Sequence, residues 1–531
     1  MTLLQELESR LAQAVAAVVG ETVPSPVTAA ADLRFGDYQT NAAMVQAKQR
    51  RTNPRALADE VIARLDLAGL ATAEVAGPGF INFRILPEAY AARMAALLRD
   101  ERLGVPATGG GRVVVVDFSA PNVAKPMHVG HIRSTIIGDA LARIARFLGF
   151  AVITDNHIGD WGTQFGMIIR GWKSLLDQAA LEADPIAELV RVYREVNAAA
   201  KADPAVLEDC KAELVKLQAG DPENRGIWQR CVDLSKQGLE RIYQQLGVRF
   251  DHWLGESAYN DCLAELVDEF LAKGLARESE GAVCIFSDGT LPPEDDPFLV
   301  HKDGEWIDNP AIIRKGDGGF LYATTDLATI RFRIDEWRAD HVWYVVGTPQ
   351  QLHFRQLFAA AQRWGKTGDF RHIAFGSILG EDRKLMRTRS GESVGLTEVL
   401  AEAVERAAAV VAEKNPELPP AEAATIAETV GLGAVKFAEL SQHRLTDYVF
   451  SWDRMLALHG DTAPYLQNSY VRIRSIFRKL DEPFDPGAHA PAPATDEEIH
   501  LARMIARFGE VVPAVIDDFR PNLLANHLLE L

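Results

Sequence analysis

The sequence predicts a multidomain α/β protein built on a doubly wound parallel sheet, with an α+β domain before it and an all-helical domain after it. Three observations predict this. The run VVVV at 113–116 is four consecutive β-branched residues, the mark of a strand buried on both faces. A loop, a helical pattern and a second apolar run, AVIT at 151–154, follow it and complete a βαβ unit. From about residue 396 onward the pattern is helical almost without interruption. A chain of 531 residues is also too long for one ordinary core.

In chain order, MTLLQELESRLAQAVAAVVG reads as an amphipathic helix. It has no basic stretch ahead of its apolar one, as an export signal would. GPGFINFRI follows, where Phe80, Asn82 and Arg84 alternate with Ile81, Phe83 and Ile85, a strand at period two. Residues 1–107 are therefore expected to form an α+β domain, and PATGGGR at 106–112 to be its linker. Residues 108–395 are expected to hold the Rossmann-like sheet. In its first helix Ile132, Ile136, Ile137, Leu141, Ile144 and Leu148 keep near-helical spacing, and Gly149 stops it. The charged stretch from about 171 to 250 reads as a helical insertion between two halves of the sheet. Strands are expected again at AVCIF (282–286), GFLYAT (319–324) and VWYVV (342–346), and a helix at 349–364. Residues 396–531 are expected to be all-helical, with segments at 396–414, 420–441 and 461–479 and a Pro/Ala-rich loop at 481–494.

Composition narrows the function. Hydrophobic residues make up 47% and charged residues 24%, the balance of a folded, soluble protein, and no apolar run is long enough to span a bilayer. Four widely spaced cysteines with no CxxC pair predict neither a disulfide framework nor a structural zinc, and fit a reducing cytoplasm. The net charge of -18 argues against a nonspecific nucleic-acid coater, though not against a selective RNA binder with local basic surfaces. Lys48, Arg50 and Arg51, and Arg472, Arg474, Arg478 and Lys479, are candidates for such surfaces; from charge alone they read as solvated helix faces.

The chemistry concentrates in SAPNVAKPMHVGH, residues 119–131. It places His128 and His131, with Gly130 between them, at a helix start. Unpaired backbone N–H groups there favour anions, glycine lets a nucleotide approach the backbone, and imidazole N–H donors can stabilise charge developing on a phosphate. A bare HxxH would read as a helix cap or a metal site. The strand before it, the helix after it and the Lys125–Pro126 pair on the same loop favour phosphate chemistry instead.

HVGH resembles the HIGH signature of class I aminoacyl-tRNA synthetases. The longer string SAPNVAKPMHVGHIRSTIIGDAL is similar to the arginyl-tRNA synthetases in particular. So are FGDYQTNAAM, NHIGDWGTQFGMII, YATTDLA and GDTAPYLQNSYVRIRSIFRK. The resemblance implies an ATP site between the HVGH loop and a second, KMSKS-like loop. RKLMRTRSGESV at 383–394 matches that loop loosely, through Lys384, Arg387, Arg389, Ser390 and Gly391, with Arg387 where a lysine is more usual. Both are cations, but a fork replaces a point charge. Lys125 is implied as a further phosphate cation. Gly130, His128, His131, Ser390 and Gly391 are implied in ATP binding, with Mg²⁺ on the phosphates.

A guanidinium is best met by carboxylates and an aromatic edge. The resemblance assigns Tyr322 and Asp326 to the arginine side chain, with Gln350 nearby, Glu256 as a further carboxylate, and Asn122 on the α-amino or carboxylate group. A buried carboxylate would reject uncharged citrulline. The resemblance also places His157 and Gln164 near the entry of the RNA 3′ end. In the 460–479 segment, Tyr465, Gln467, Arg472 and Arg474 would contact the anticodon, since aromatics stack on bases and arginines pair with phosphates. At helical spacing about half of these aromatic and apolar residues would be packing instead.

The expected reaction is ATP-dependent activation of arginine, then transfer to the terminal adenosine of arginine tRNA, catalysed by His128, His131, Lys125, Lys384 and Arg387. Rivals are a class I synthetase for another amino acid, a small-molecule nucleotidyltransferase sharing the HxGH loop, and a non-catalytic RNA-binding paralog. The last would be expected to lose the histidines or Lys125. The resemblance further implies a monomer, and a family end several helical turns beyond NLLANHLLEL.

Overall fold

In a computed structural model of the chain, all residues are described except 381, 385, 387–393, 458, 481, 482, 486 and 489. The chain divides into two compact units, residues 1–108 with 468–531, and residues 109–467.

The 109–467 unit is built on a four-stranded, all-parallel sheet in the order Asp369–His372, His341–Val345, Val113–Phe118, Ala151–Asp155. Val114, Val115 and Val116 are completely buried, as a strand covered on both faces requires. From Val113–Phe118 the chain crosses through the helix Gly130–Phe147 to its neighbour on one side. The later strands add on the other side, so the strand order reverses at Val113–Phe118. The loops after Val113–Phe118 and His341–Val345 therefore flank the crevice where doubly wound sheets bind ligands.

The insertion is helical as expected. Its longest helices, Pro185–Ala202, Pro204–Gln218 and Pro222–Leu246, each start with proline behind an aspartate (Asp184, Asp203, Asp221) whose side chain caps the first turn. They close over Phe165, Leu189, Leu217 and Cys231.

Two expected strands come out differently. AVCIF does form a strand, Ala282–Ile285, but outside the parallel sheet, pairing antiparallel with Arg277–Ser279 and Ala311–Arg314. The cause is local: Glu280 and Gly281 have φ of 51° and 80°, a two-residue turn that folds the chain straight back on itself. GFLYAT is not a strand. Phe320 makes one isolated bridge to Arg314, and Tyr322–Asp335 is a helix. Thr324 sits in its first turn and donates its hydroxyl to the Ile313 carbonyl, so tertiary contact overrides the β preference of the Thr-Thr pair.

The other unit holds a four-stranded antiparallel sheet, with Phe80–Ile85 between Tyr38–Thr40 and Ala71–Ala76, and Leu3–Val19 packed on it. The helix Asp496–Asp517 belongs to the same core through Ala502 and Ala506. Its polar edge is tied down as well: Arg503 reaches Asp37 at 2.5 Å, and the Tyr38 hydroxyl donates to Glu510 at 2.8 Å.

Candidate active site

The loop leaving Val113–Phe118 is held in a conformation few residues adopt. Ser119, Ala120 and Ala124 have φ of 72°, 45° and 57°. Such strain persists only where the surroundings enforce it. Here the Ser119 N–H donates to Ser134 Oγ at 2.8 Å, the Ala120 N–H to Asn156 Oδ1 at 3.1 Å, and the Ala124 N–H to Ser235 Oγ at 3.0 Å. The payload of that loop is the HVGH turn. His128 and His131 face each other with ring centroids 4.0 Å apart.

Each ring accepts a backbone proton on Nδ1. The Gly130 N–H donates to His128, and the His128 N–H to His131, both at 3.1 Å. Nδ1 is the acceptor in the His128 ring, which puts that ring's proton on Nε2; His131 Nδ1 also lies 3.3 Å from the His128 carbonyl oxygen. Burial, then the neighbouring His128, pushes His131 down to about 4, and burial lowers His128 as well. The pair is thus two imidazoles held toward the neutral form at a helix N-terminus.

The second loop is anchored at both ends. At its far end the Val129 N–H donates to the Val394 carbonyl at 2.8 Å, and the Leu396 N–H to the Met127 carbonyl at 2.9 Å. The end of one loop is thereby stitched to the HVGH turn. At its near end Ile378–Leu379 pairs parallel with Tyr448–Val449. Lys384 lies exposed between these anchors; Arg387, Arg389, Ser390 and Gly391 fall outside the described residues.

A carboxylate cluster lies at the C-terminal side of the sheet. Asp326 is one turn from Tyr322 on the helix Tyr322–Asp335, and Tyr322 is 72% exposed. The Asp326 carboxylate accepts a 2.6 Å bond from His353 Nε2. Glu256 is close enough for Asp326 and Asp160 to act on its charge. Burial first, and those two carboxylates after it, push Glu256 up to about 7, while His157 opposes the shift. Asp160 is itself buried and fixed by the Ser257 N–H at 2.8 Å and hydroxyl at 2.7 Å. His157 donates from Nδ1 to the Leu254 carbonyl at 2.8 Å. A partly buried, anionic cluster suits a cationic side chain.

The other expected residues fall as follows. Asn122 is bridged to Gly159, which has no room for more: a Cβ there would stand 2.2 Å from Asn122 Oδ1. The Lys125 ammonium lies 5.7 Å from the Tyr193 ring centroid. Gln350 is exposed in the turn Thr348–Gln350 that follows the strand His341–Val345. The Gln164 amide reaches the Gly159 carbonyl at 3.5 Å. Tyr465, Arg472 and Arg474 are exposed on the helix Ala463–Arg478. Gln467, on the same helix, donates its amide to the Thr429 carbonyl at 3.1 Å and packs over Gly433.

Sequence reasoning missed His353 and Asp160 in the cluster. His353 stands three residues after Gln350, a signal that went unused; Asp160, inside NHIGDWG, reads as an ordinary turn residue.

Known families match the chain along most of its length. Residues 93–452 match the catalytic domain of the class I tRNA synthetases (R). Residues 5–85 match the arginyl tRNA synthetase N terminal domain, and residues 466–531 the DALR anticodon binding domain. The chain is 44% identical to an arginine–tRNA ligase of Laribacter hongkongensis and 43% identical to one of Azotobacter vinelandii, over its whole length and 91% and 90% of theirs. The fold superposes on the arginyl-tRNA synthetase of Plasmodium falciparum with a TM-score of 0.82 at 25% identity. It superposes on that of Thermus thermophilus with 0.79 at 26%. Each match covers 99% of this chain and 90% of the other. The chain belongs to the class I arginyl-tRNA synthetases.

Proposed function

We infer that the chain is an arginine–tRNA ligase, activating arginine with ATP and esterifying it to the 3′-terminal adenosine of arginine tRNA. The observation that carries the reading is the pairing of two imidazoles held toward the neutral form at the Gly130–Phe147 N-terminus with a partly buried carboxylate cluster at the same end of the sheet.

ATP lies along the HVGH turn, with Gly130 giving the nucleotide close backbone access and His128 and His131 donating Nε2–H to the phosphates. Arginine places its guanidinium on Asp326 and Glu256 beside Tyr322 and Gln350, and its α-amino or carboxylate end on Asn122. An arginine carboxylate oxygen attacks the α-phosphorus. The bond from that phosphorus to the bridging oxygen breaks, and pyrophosphate leaves. Little covalent work falls to the protein, so positioning and cations carry the step; Lys125, Lys384 and Arg387 supply the cations, and Ser390 and Gly391 the second loop's contacts.

The 2′-hydroxyl of the terminal adenosine then attacks the arginyl carbonyl, gives up its proton and expels AMP. His157 and Gln164 border that entry. Tyr465, Arg472 and Arg474 serve the anticodon side, while Gln467 spends its amide inside the protein, on the Thr429 carbonyl. Magnesium would accompany ATP as its counter-ion. Among the described residues there is no group of three or more His, Cys, Asp or Glu that could hold a metal.

In this reading residues 1–107 touch the RNA, 108–395 perform the chemistry, and 396–531 read the anticodon, in a cytoplasmic monomer. Among the described residues no helix is long and apolar enough to cross a membrane.

ATP–pyrophosphate exchange with arginine, with and without arginine tRNA, tests the function. Exchange that requires the tRNA is the expected result. No exchange under either condition, with the tRNA still bound, would overturn it in favour of a non-catalytic RNA-binding paralog.

A further inference from the structure

We propose that His353 is a positioning residue for arginine recognition: it holds one oxygen of the Asp326 carboxylate so that the other faces the guanidinium. The proposal rests on the reading that Asp326 receives that guanidinium.

Asp326 has one hydrogen-bond partner among the described residues. Its Oδ2 accepts from His353 Nε2 at 2.6 Å, leaving Oδ1 without a bond. An aspartate on a helix turns freely about its last torsion unless something fixes it. A bidentate guanidinium contact needs the carboxylate plane in one orientation. His353 is built to fix it. It stands on the helix Gln351–Arg363, directly after the turn that carries Gln350, so the recognition amide and the carboxylate's anchor arrive on one element.

The ring has a rigid backing. It meets Phe354 edge-on with centroids 5.3 Å apart, and Phe354 stacks on His372 at 4.5 Å. The His372 Nε2–H donates to the Val346 carbonyl at 2.9 Å, at the end of the strand His341–Val345. The carboxylate is thus referred, ring by ring, to the sheet itself. Both partners are partly covered, with 25% of the His353 side chain and 20% of the Asp326 side chain exposed, so water is a weak competitor for the bond. Glu256, which lies on another element, has no such anchor among the described residues; its backbone N–H donates to the Ile158 carbonyl at 3.2 Å. Of the two carboxylates expected to meet the guanidinium, Asp326 is the one whose direction is set in advance, which is what a planar fork requires.

The test is tRNA-dependent ATP–pyrophosphate exchange with arginine varied at saturating ATP, and ATP varied at saturating arginine. The variants are H353F, which keeps the ring packing and loses the donor, H353Q, which restores an N–H donor, and D326N. Removing a hydrogen bond to a charged group is a change of about tenfold or more. H353F is expected to raise the arginine KM by about that factor, with kcat and the ATP KM within about twofold of the parent, and H353Q to recover most of the loss. Unchanged arginine KM in H353F, or equal losses for arginine and ATP, would overturn the proposal. D326N separates the two readings. If D326N leaves the arginine KM unchanged, Asp326 is not the recognising carboxylate and the reading beneath fails. If D326N raises it and H353F does not, this proposal alone fails.

Discussion

The guanidinium of Arg133 and the carboxylate of Glu439 lie 3.1 Å apart, each with 1% of its side chain exposed. Arg133 is two residues past His131 on the helix that carries the HVGH turn. Its Nη1 also donates to the Thr446 carbonyl at 3.0 Å, and Glu439 accepts the Tyr448 hydroxyl. Tyr448 belongs to the strand that pairs with Ile378–Leu379, at the foot of the second loop. One buried pair therefore holds the HVGH turn and the base of the second loop in a common frame.

Removing one partner of a buried pair strands the other charge, at a cost of about 3–5 kcal/mol. R133M is expected to lower the thermal unfolding midpoint by several degrees, read by circular dichroism. E439Q keeps a partner for Tyr448 and is expected to cost less. It also has a pH signature. Burial raises Glu439 to about 7, with Arg133 opposing, so its folded value lies above the unfolded one. Its contribution is complete below the unfolded value near 4.5 and is lost as pH rises through 7. The parent should lose more stability than E439Q between pH 5 and 8. Parallel curves would refute the assignment.

Glu256 and His131 predict opposite pH behaviour for binding and for chemistry. His131 is held neutral down to about 4, so its titration is expected to leave kcat for exchange at saturating arginine flat between pH 6 and 8. Glu256, raised to about 7, gains a proton as pH falls through that value and stops attracting a cation. The arginine KM is therefore expected to rise several-fold from pH 8 to pH 6. In E256Q that slope should vanish and the KM should stay high. A pH-independent KM in the parent would remove Glu256 from the site.

Gly159 leaves space that Asn122 uses. In G159A the new methyl would stand 2.2 Å from Asn122 Oδ1, so the amide must move. An ångström at a substrate-positioning group costs up to about a hundredfold in rate. The expected outcome is a drop in exchange of ten- to a hundredfold, by estimate, with an unchanged unfolding midpoint. Parent-like exchange would show that Asn122 does not touch substrate.

On the helix Ala463–Arg478, side-chain placement separates two kinds of residue. Arg472 and Arg474 are exposed, whereas Gln467 spends its amide on the Thr429 carbonyl. R474A is expected to raise the tRNA KM in aminoacylation and to flatten its salt dependence, as loss of a phosphate contact does. Q467A is expected to leave the tRNA KM within about twofold and act through packing, as a substitution away from the RNA would. The reverse ranking would reassign the contacts.

The sequence by itself determined the parallel sheet, the HVGH helix, the capped insertion helices and the helical character after residue 396. Each of these is written in a local pattern: β-branched runs, aspartate–proline starts, apolar residues at helical spacing. It also marked the candidate catalytic side chains, because the HVGH turn and its flanking strings lie within one stretch of chain. Tertiary structure decided the rest. Only packing turned the β-prone YATTD into a helix, which put Tyr322 and Asp326 one turn apart. Only folding brought Asp326 to His353, 27 positions later, and Arg133 to Glu439, more than three hundred positions later. A hydrogen bond or an ion pair between distant residues leaves no periodicity in the chain. It depends on which loops the sheet order brings to one edge, and that order follows from the burial of the whole core rather than from any local run of residues.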